Sequence, residues 1–212
     1  MGLVMPPGGL KLKCRMLREA FLFILFFPTA GLVSPVRAQD TVVRLDPAET
    51  RVEFSVGSTL HTVHGTFKLK SGELRFDQAT GKARGVIVVA ATSGDSANDG
   101  RNKKMHEKVL ESEKFPEMVF IPNEVQGKLP AQGSSELKVA GTFRLHGQEH
   151  DLTMPVSVES GAGQQIHATT HFDVPYVKWG LKSPSNFVLK VDDIVDVEIH
   201  ATGLITSELA HD

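Results

Sequence analysis

Nine histidines, 25 acidic residues and a single cysteine are the groups with which this 212-residue chain could do chemistry. Their spacing does not converge. On a strand His61 and His64 face opposite ways, because an odd offset reverses the side chain. His167 and His171 share a face, but it is the polar face of its strand, and they stand about 13 Å apart at roughly 3.3 Å per residue. His146 and His150 straddle a turn. A zinc site needs three or four converging ligands, and none of these pairs reaches that without help from another strand. No metal is therefore expected. Nucleophilic catalysis has as little support: no G-x-S-x-G elbow is present, and Gly94-Asp95-Ser96 reads as a loop fragment. Asp192, Asp193 and Asp196 read as a turn and an outer face, not as an acid–base pair. The expectation is a protein with no catalytic residues and no cofactor, not an enzyme.

The cysteine, Cys14, falls in a segment that does not read as part of a fold. Lys11, Lys13, Arg15 and Arg18 precede an apolar run from Ala20 to Phe27, and small residues lead on to Val36-Arg37-Ala38. That is the layout of a secretory signal peptide over residues 1–38, with cleavage after Ala38. The run is too short for a bilayer-spanning helix, so no stable membrane span is expected after processing. The remaining chain, residues 39–212, has no thiol, which excludes disulfides, cysteine nucleophiles and thiolate metal sites. The leader takes five of the 23 Lys/Arg and one of the 25 Asp/Glu with it, leaving 18 against 24, a formal charge of −6. An acidic protein of this kind carries no electrostatic footprint for nucleic acid. The location expected is periplasmic or secreted, and the size suits one domain with one core.

The elements that would hold any site are mostly strands. Val52, Phe54 and Val56 alternate with Arg51, Glu53 and Ser55, and Val63, Phe67 and Leu69 alternate with His64, Thr66 and Lys68. Ser71-Gly72 reads as a tight turn before Leu74 and Phe76. Further alternating runs cover 137–145, 152–158, 166–174, 187–191 and 195–199. Roughly nine or ten strands at hairpin spacing, each with one polar side, predict an antiparallel barrel or sandwich. Closing the sheet buries its apolar face and removes its edges. One stretch differs. From Arg101 to Leu110 the chain reads as a charged helix with a narrow stripe of Met105, Val109 and Leu110, with Asn98 or Asp99 as its cap. A helix of about ten residues is marginal alone, so it is expected to rest on the barrel as a lid or plug. Gly85 to Ala91, apolar on both faces, is expected to be covered by it on the second side.

Taken together, several pieces resemble the YceI-like family of exported polyisoprenoid-binding proteins over about Val42 to Ile205. They are Leu45-Asp46-Pro47-Ala48-x-Thr50-x-Val52-x-Phe54, Gly65-x-Phe67, Ser71-Gly72-x-Leu74-x-Phe76-Asp77, Lys114-Phe115-Pro116-x-Met118-x-Phe120 and Gly141-x-Phe143-x-Leu145-His146-Gly147. The resemblance implies an all-β, lipocalin-like antiparallel barrel with one short helix, whose apolar channel takes an isoprenoid chain such as a polyprenyl lipid or quinone tail. It implies no enzymatic activity. Two positions depart from the family's commoner form: an Arg-Asp pair at the helix start is here Arg101-Asn102, and Val174 to Lys182 replaces an Asp-Phe-Gly segment.

On that reading the lumen is lined by Phe54, Phe67, Phe76, Phe120, Phe143, Met154, Phe172, Phe187 and Leu189. A polar head group would find donors at the mouth in Arg101, Lys103 and Lys104, helped by the helix N-terminal amides, or in Lys178, Trp179 and Lys182. The expected partner is an isoprenoid or other long-chain lipid, with room for a homodimer. The competing expectation is a solid-cored barrel that acts as an envelope protein-interaction module through its helix face and the Tyr176–Ser185 loop.

Overall fold

A computed structural model of the protein describes residues 39–209, and the leader expected at 1–38, with Cys14, lies outside the described residues. Nine strands follow in order: β1 (Gln39–Leu45), β2 (Arg51–Val56), β3 (Val63–Asp77), β4 (Ala83–Asp95), β5 (Glu117–Gln126), β6 (Gly133–Leu145), β7 (Gln148–Ser160), β8 (Gln165–Val174) and β9 (Val195–Leu209). The helix α1 (Asp99–Lys104) runs straight into a π-helical turn, Met105–Val109.

All pairings are antiparallel, and neighbours in sequence from β2 to β9 are neighbours in space, save that β2 also meets β9. β1 and β2 occupy one slot in succession. β1 lies between Glu73–Asp77 of β3 and Gly203–Leu209 of β9, while β2 lies between Val63–Lys68 and Asp196–His200 of the same two strands. The ring therefore has eight positions and is closed. The break between the two half-strands is built by Asp46-Pro47. The Asp46 amide donates to Thr202 O at 2.8 Å, its carboxylate accepts from the Ala48 amide, and proline cannot continue the ladder.

Alternation puts one side of each strand inside. Val43, Phe76, Phe120, Val139, Met154 and Ile166 gather at the end where β3 turns into β4. Leu145, Val174, Tyr176 and Leu181 gather at the other end, beneath the helix.

Three expectations change. Ser71 and Gly72 are not a turn: they pair with Val88 and Ile87 in mid-strand, and a bulge between Leu69 and Ser71 bends β3 instead. Residues 187–191 are not a strand, and only Val191 makes an isolated bridge, to Ser58. The helix does not cover the outer face of β4, where Val86 remains exposed. It crosses the end of the barrel, because its apolar residues are too few to cover a strand but enough to close a rim.

Candidate functional site: a two-chambered apolar cavity

The barrel is hollow. An upper cavity of about 480 Å³ lies under the helix and the 176–191 loop. A lower one of about 150 Å³ runs toward Leu129 and Ile166. Val52, Val89, Met118, Phe143, Phe172 and Ile199 border both, so the chambers meet at a waist of six side chains. The upper volume falls within the range of small-molecule sites, which are concave and mostly apolar with a few placed polar groups. Here the polar side chains along the upper wall are Ser58, His61, Ser96, Arg101, Lys104 and Tyr176, while Glu53 borders it from β2 with its carboxylate on the outer face beside Glu198.

The structure places Phe54, Phe67 and Leu189 on the upper wall, Phe76, Phe120 and Met154 on the lower wall, and Phe143 and Phe172 at the waist. Phe54 and Phe67 tilt against each other with ring centroids 5.2 Å apart. Phe187 is a correction: it stands in solvent and touches neither chamber. Asn186 is the cause. Its side-chain oxygen accepts from the amides of Val188 and Leu189, which closes a turn and swings Phe187 outward. Leu60, Met105, Val109, Leu110 and Tyr176 also line the upper wall. Of these, only the Met105–Val109–Leu110 stripe carries a signal in the sequence.

The lid is seated by a polar network. Asn98 caps α1, accepting from the Arg101 amide at 2.9 Å. The Asn102 side chain accepts from both the amide and the hydroxyl of buried Ser96, and donates to the Asp95 carboxylate at 2.8 Å. That donated bond holds the Asp95 carboxyl below its ordinary range. Arg101 returns to Ser96 through Nε and Nη2. His106 Nε2 lies 2.9 Å from the Gly94 carbonyl, so it carries the proton, and Nδ1 accepts from the Ser112 hydroxyl. Close approach requires Gly94: a Cβ there would fall 2.6 Å from the Phe67 ring and 2.8 Å from Met105 Cε. Beyond the π-turn, Glu111 meets His146 Nε2 at 2.6 Å, and this bond lowers the Glu111 carboxyl.

The expected head-group donors separate. Arg101 and Lys104 reach the upper wall, and Lys104 donates to the Pro184 carbonyl at 2.6 Å. Lys103 points away, 4.0 Å from Glu107. Lys178 and Lys182 are exposed, and Trp179 lies flat on His150 with centroids 4.2 Å apart, off the cavity wall. Of the helix amides expected to assist, those of Arg101 and Asn102 are already used, both by Asn98. Tyr176 donates to the Asp192 carbonyl at 2.9 Å, and burial pushes its phenol up.

Among the described residues, one group of three side chains could meet at an ion. Glu53, Glu198 and His200 place ligand atoms within 4.8 Å of one another. They lie on the outer wall across the β2–β9 pair, and His200 is already bonded to Glu198 at 3.1 Å. Also among the described residues, no helix is long and apolar enough to cross a membrane.

Comparison with known proteins agrees with this fold. The family model for the YceI-like domain matches residues 44–203. The fold is similar to the crystal structure of BcnA from Burkholderia cenocepacia, with a TM-score of 0.62 and 18% identity over 74% of this chain and 98% of that one. It is similar as well to a polyisoprenoid binding domain from Saccharophagus degradans, implicated in plant cell wall breakdown. There the TM-score is 0.59 and the identity 13%, over 80% of this chain and 99% of that one. No curated protein sequence matches.

Proposed function

The chain belongs to the YceI-like family, and from that premise we propose that it is an exported carrier that holds an isoprenoid or other long-chain lipid in its barrel and performs no reaction on it. The carrying observation is the cavity: two adjoining chambers that share six lining residues and are walled mostly by Val, Leu, Ile, Phe and Met. A polyprenyl or quinone tail suits such a wall, since each methylene taken from water contributes about 0.8 kcal/mol. Polar side chains occur mainly around the upper chamber, where Arg101, Lys104, His61 and Ser58 would meet a head group while the tail runs past the waist. The similar Saccharophagus domain is described as polyisoprenoid binding, which supports the ligand class. Processing after Ala38 into the periplasm or medium belongs to the same proposal. The filled-barrel alternative has the hollow interior against it.

Native mass spectrometry of gently purified protein tests the reading. The expected result is a co-purifying apolar mass, or uptake of added polyprenol or quinone. An apo mass from lipid-replete cells, with no uptake of either lipid, would remove the carrier function.

A further inference from the structure

The three most exposed large apolar side chains among the described residues are Phe187 (104%), Val188 (86%) and Leu60 (77%). Leu60 lines the upper chamber, and Phe187 and Val188 directly precede Leu189, which lines it too. The two loops that carry them are joined. The Thr59 amide donates to Lys190 O at 2.9 Å, the Lys190 amide donates to Thr59 Oγ1 at 3.0 Å, and Ser58 bridges to Val191. The corner with Phe187 and Val188 is an ordered turn held by Asn186. The apolar side chains are therefore displayed in water by hydrogen-bonded backbone, on one platform.

The two loops carry charge opposite to that of the protein as a whole. From Tyr176 to Lys190 there are three lysines and no carboxylate, and from Gly57 to Gly65 there are two histidines and no carboxylate. Lys104 joins them through the Pro184 carbonyl. Carboxylates border these loops from outside: Asp192 folds over Gly57, Asp193 lies beside Tyr176, and Glu111 at the end of the lid is close enough to Lys182 for that lysine to help lower its carboxyl. From residue 39 onward the chain has six more acidic than basic residues, so two loops that carry lysines and no carboxylate of their own are a local reversal.

We propose that this platform is a membrane-docking surface. Phe187, Val188 and Leu60 would enter the interfacial region of a bilayer rich in anionic lipids, with Lys182, Lys190 and Lys104 on the headgroups. Apolar insertion combined with electrostatic attraction to anionic lipid is how interfacial segments hold to membranes without spanning them. Exposed apolar patches next to a binding groove mark such contact sites. Docked in this way, the cavity mouth faces the lipid phase. The proposal rests on the carrier reading only for what passes through that mouth.

The test uses the chain from Gln39 onward, which contains every strand of the barrel, so that the leader's apolar run contributes nothing. Co-sedimentation is measured with phosphatidylcholine vesicles with and without phosphatidylglycerol. Binding is expected to the phosphatidylglycerol vesicles, to weaken with added salt, and to fall at least about tenfold in Phe187→Asp/Val188→Asp. Both substituted residues are exposed, and an unchanged thermal transition checks the fold. Lys182→Glu/Lys190→Glu is expected to remove the preference for anionic vesicles. No vesicle binding, or binding equal in the parent and the aspartate variant, overturns the proposal. Lipid content by mass spectrometry is read separately: a protein that keeps its lipid but ignores vesicles loses the docking surface and remains a carrier. One that binds vesicles and never takes up lipid does the reverse.

Discussion

Asn102 shows how a single side chain can be more informative than the motif it interrupts. As an amide it can accept from Ser96 and donate to Asp95 in the same position, which a second carboxylate could not do. The departure from Arg-Asp at this point is thereby matched by Asp95 on the facing strand end. Asn102→Ala leaves the buried Ser96 amide without its acceptor, and an orphaned buried donor costs about 1–3 kcal/mol. The expected readout is a lower urea midpoint with an unchanged slope; an unchanged midpoint would mean that water replaces the amide. Asn186 has the opposite history. Phe187, Leu189 and Val191 alternate as a strand would, and nothing in their types says otherwise. The turn is set by one side-chain oxygen two and three residues back along the chain, competing with any ladder. Leu189 still reached the wall, and Phe187 did not.

At the scale of elements, strands were legible because their period is two, and their irregularities were legible as changes of parity. Inward residues in β3 are odd-numbered to Leu69 and even-numbered from Leu74, so an extra residue had to be absorbed between them. Sequence alone reads Ser71-Gly72 as the place to turn. The bulge wins because β3 must stay paired with β1, β2 and β4 along its length to close the ring. The helix was legible as a lid from its narrow stripe, but its change to a π-turn was not, since no residue type encodes it. Two tests belong here. In Gly65→Ala the new Cβ would lie 2.5 Å from the Asp95 carbonyl and 2.4 Å from Phe54 Cζ. That forces β3 and β4 apart at the lid seat and is expected to cost about 1–3 kcal/mol, read as a depressed melting transition. Glu111 ties the end of the lid to the β6–β7 hairpin through His146. Its carboxyl is lowered in the folded state, mainly by that hydrogen bond. Its contribution is therefore present above the ordinary carboxylate value and is lost as pH falls through the lowered one. Below about pH 4.3, the parent should lose stability more steeply than Glu111→Gln in denaturant titrations stepped through acid. Parallel curves would show that the pair does nothing for folding.

For the molecule as a whole, hollowness is the property that local pattern cannot encode. Alternation says which side chains face in, but whether they meet depends on ring size and on the sum of their volumes, and eight strands sit at the border between filled and ligand-holding. The waist is where that distinction can be tested. Val52 is buried and borders both chambers. Val52→Phe puts a ring between the two chambers, and because empty volume is there to receive it, the stability change should stay below the about 1–3 kcal/mol typical of overpacking. If a lipid tail threads from the upper chamber into the lower one, the variant should keep short prenols, which fit above the waist, and lose long polyprenols. Each methylene kept out forfeits about 0.8 kcal/mol, and about 1.4 kcal/mol is tenfold in affinity, so even a couple of excluded carbons are measurable by displacement of a fluorescent lipid probe. A tail that lies wholly in the upper chamber predicts the same loss, or none, for both chain lengths. Chain-length discrimination that appears only in the variant ties the depth of the barrel to the length of its cargo. Equal behaviour of parent and variant would leave the lower chamber as a packing void rather than part of the site.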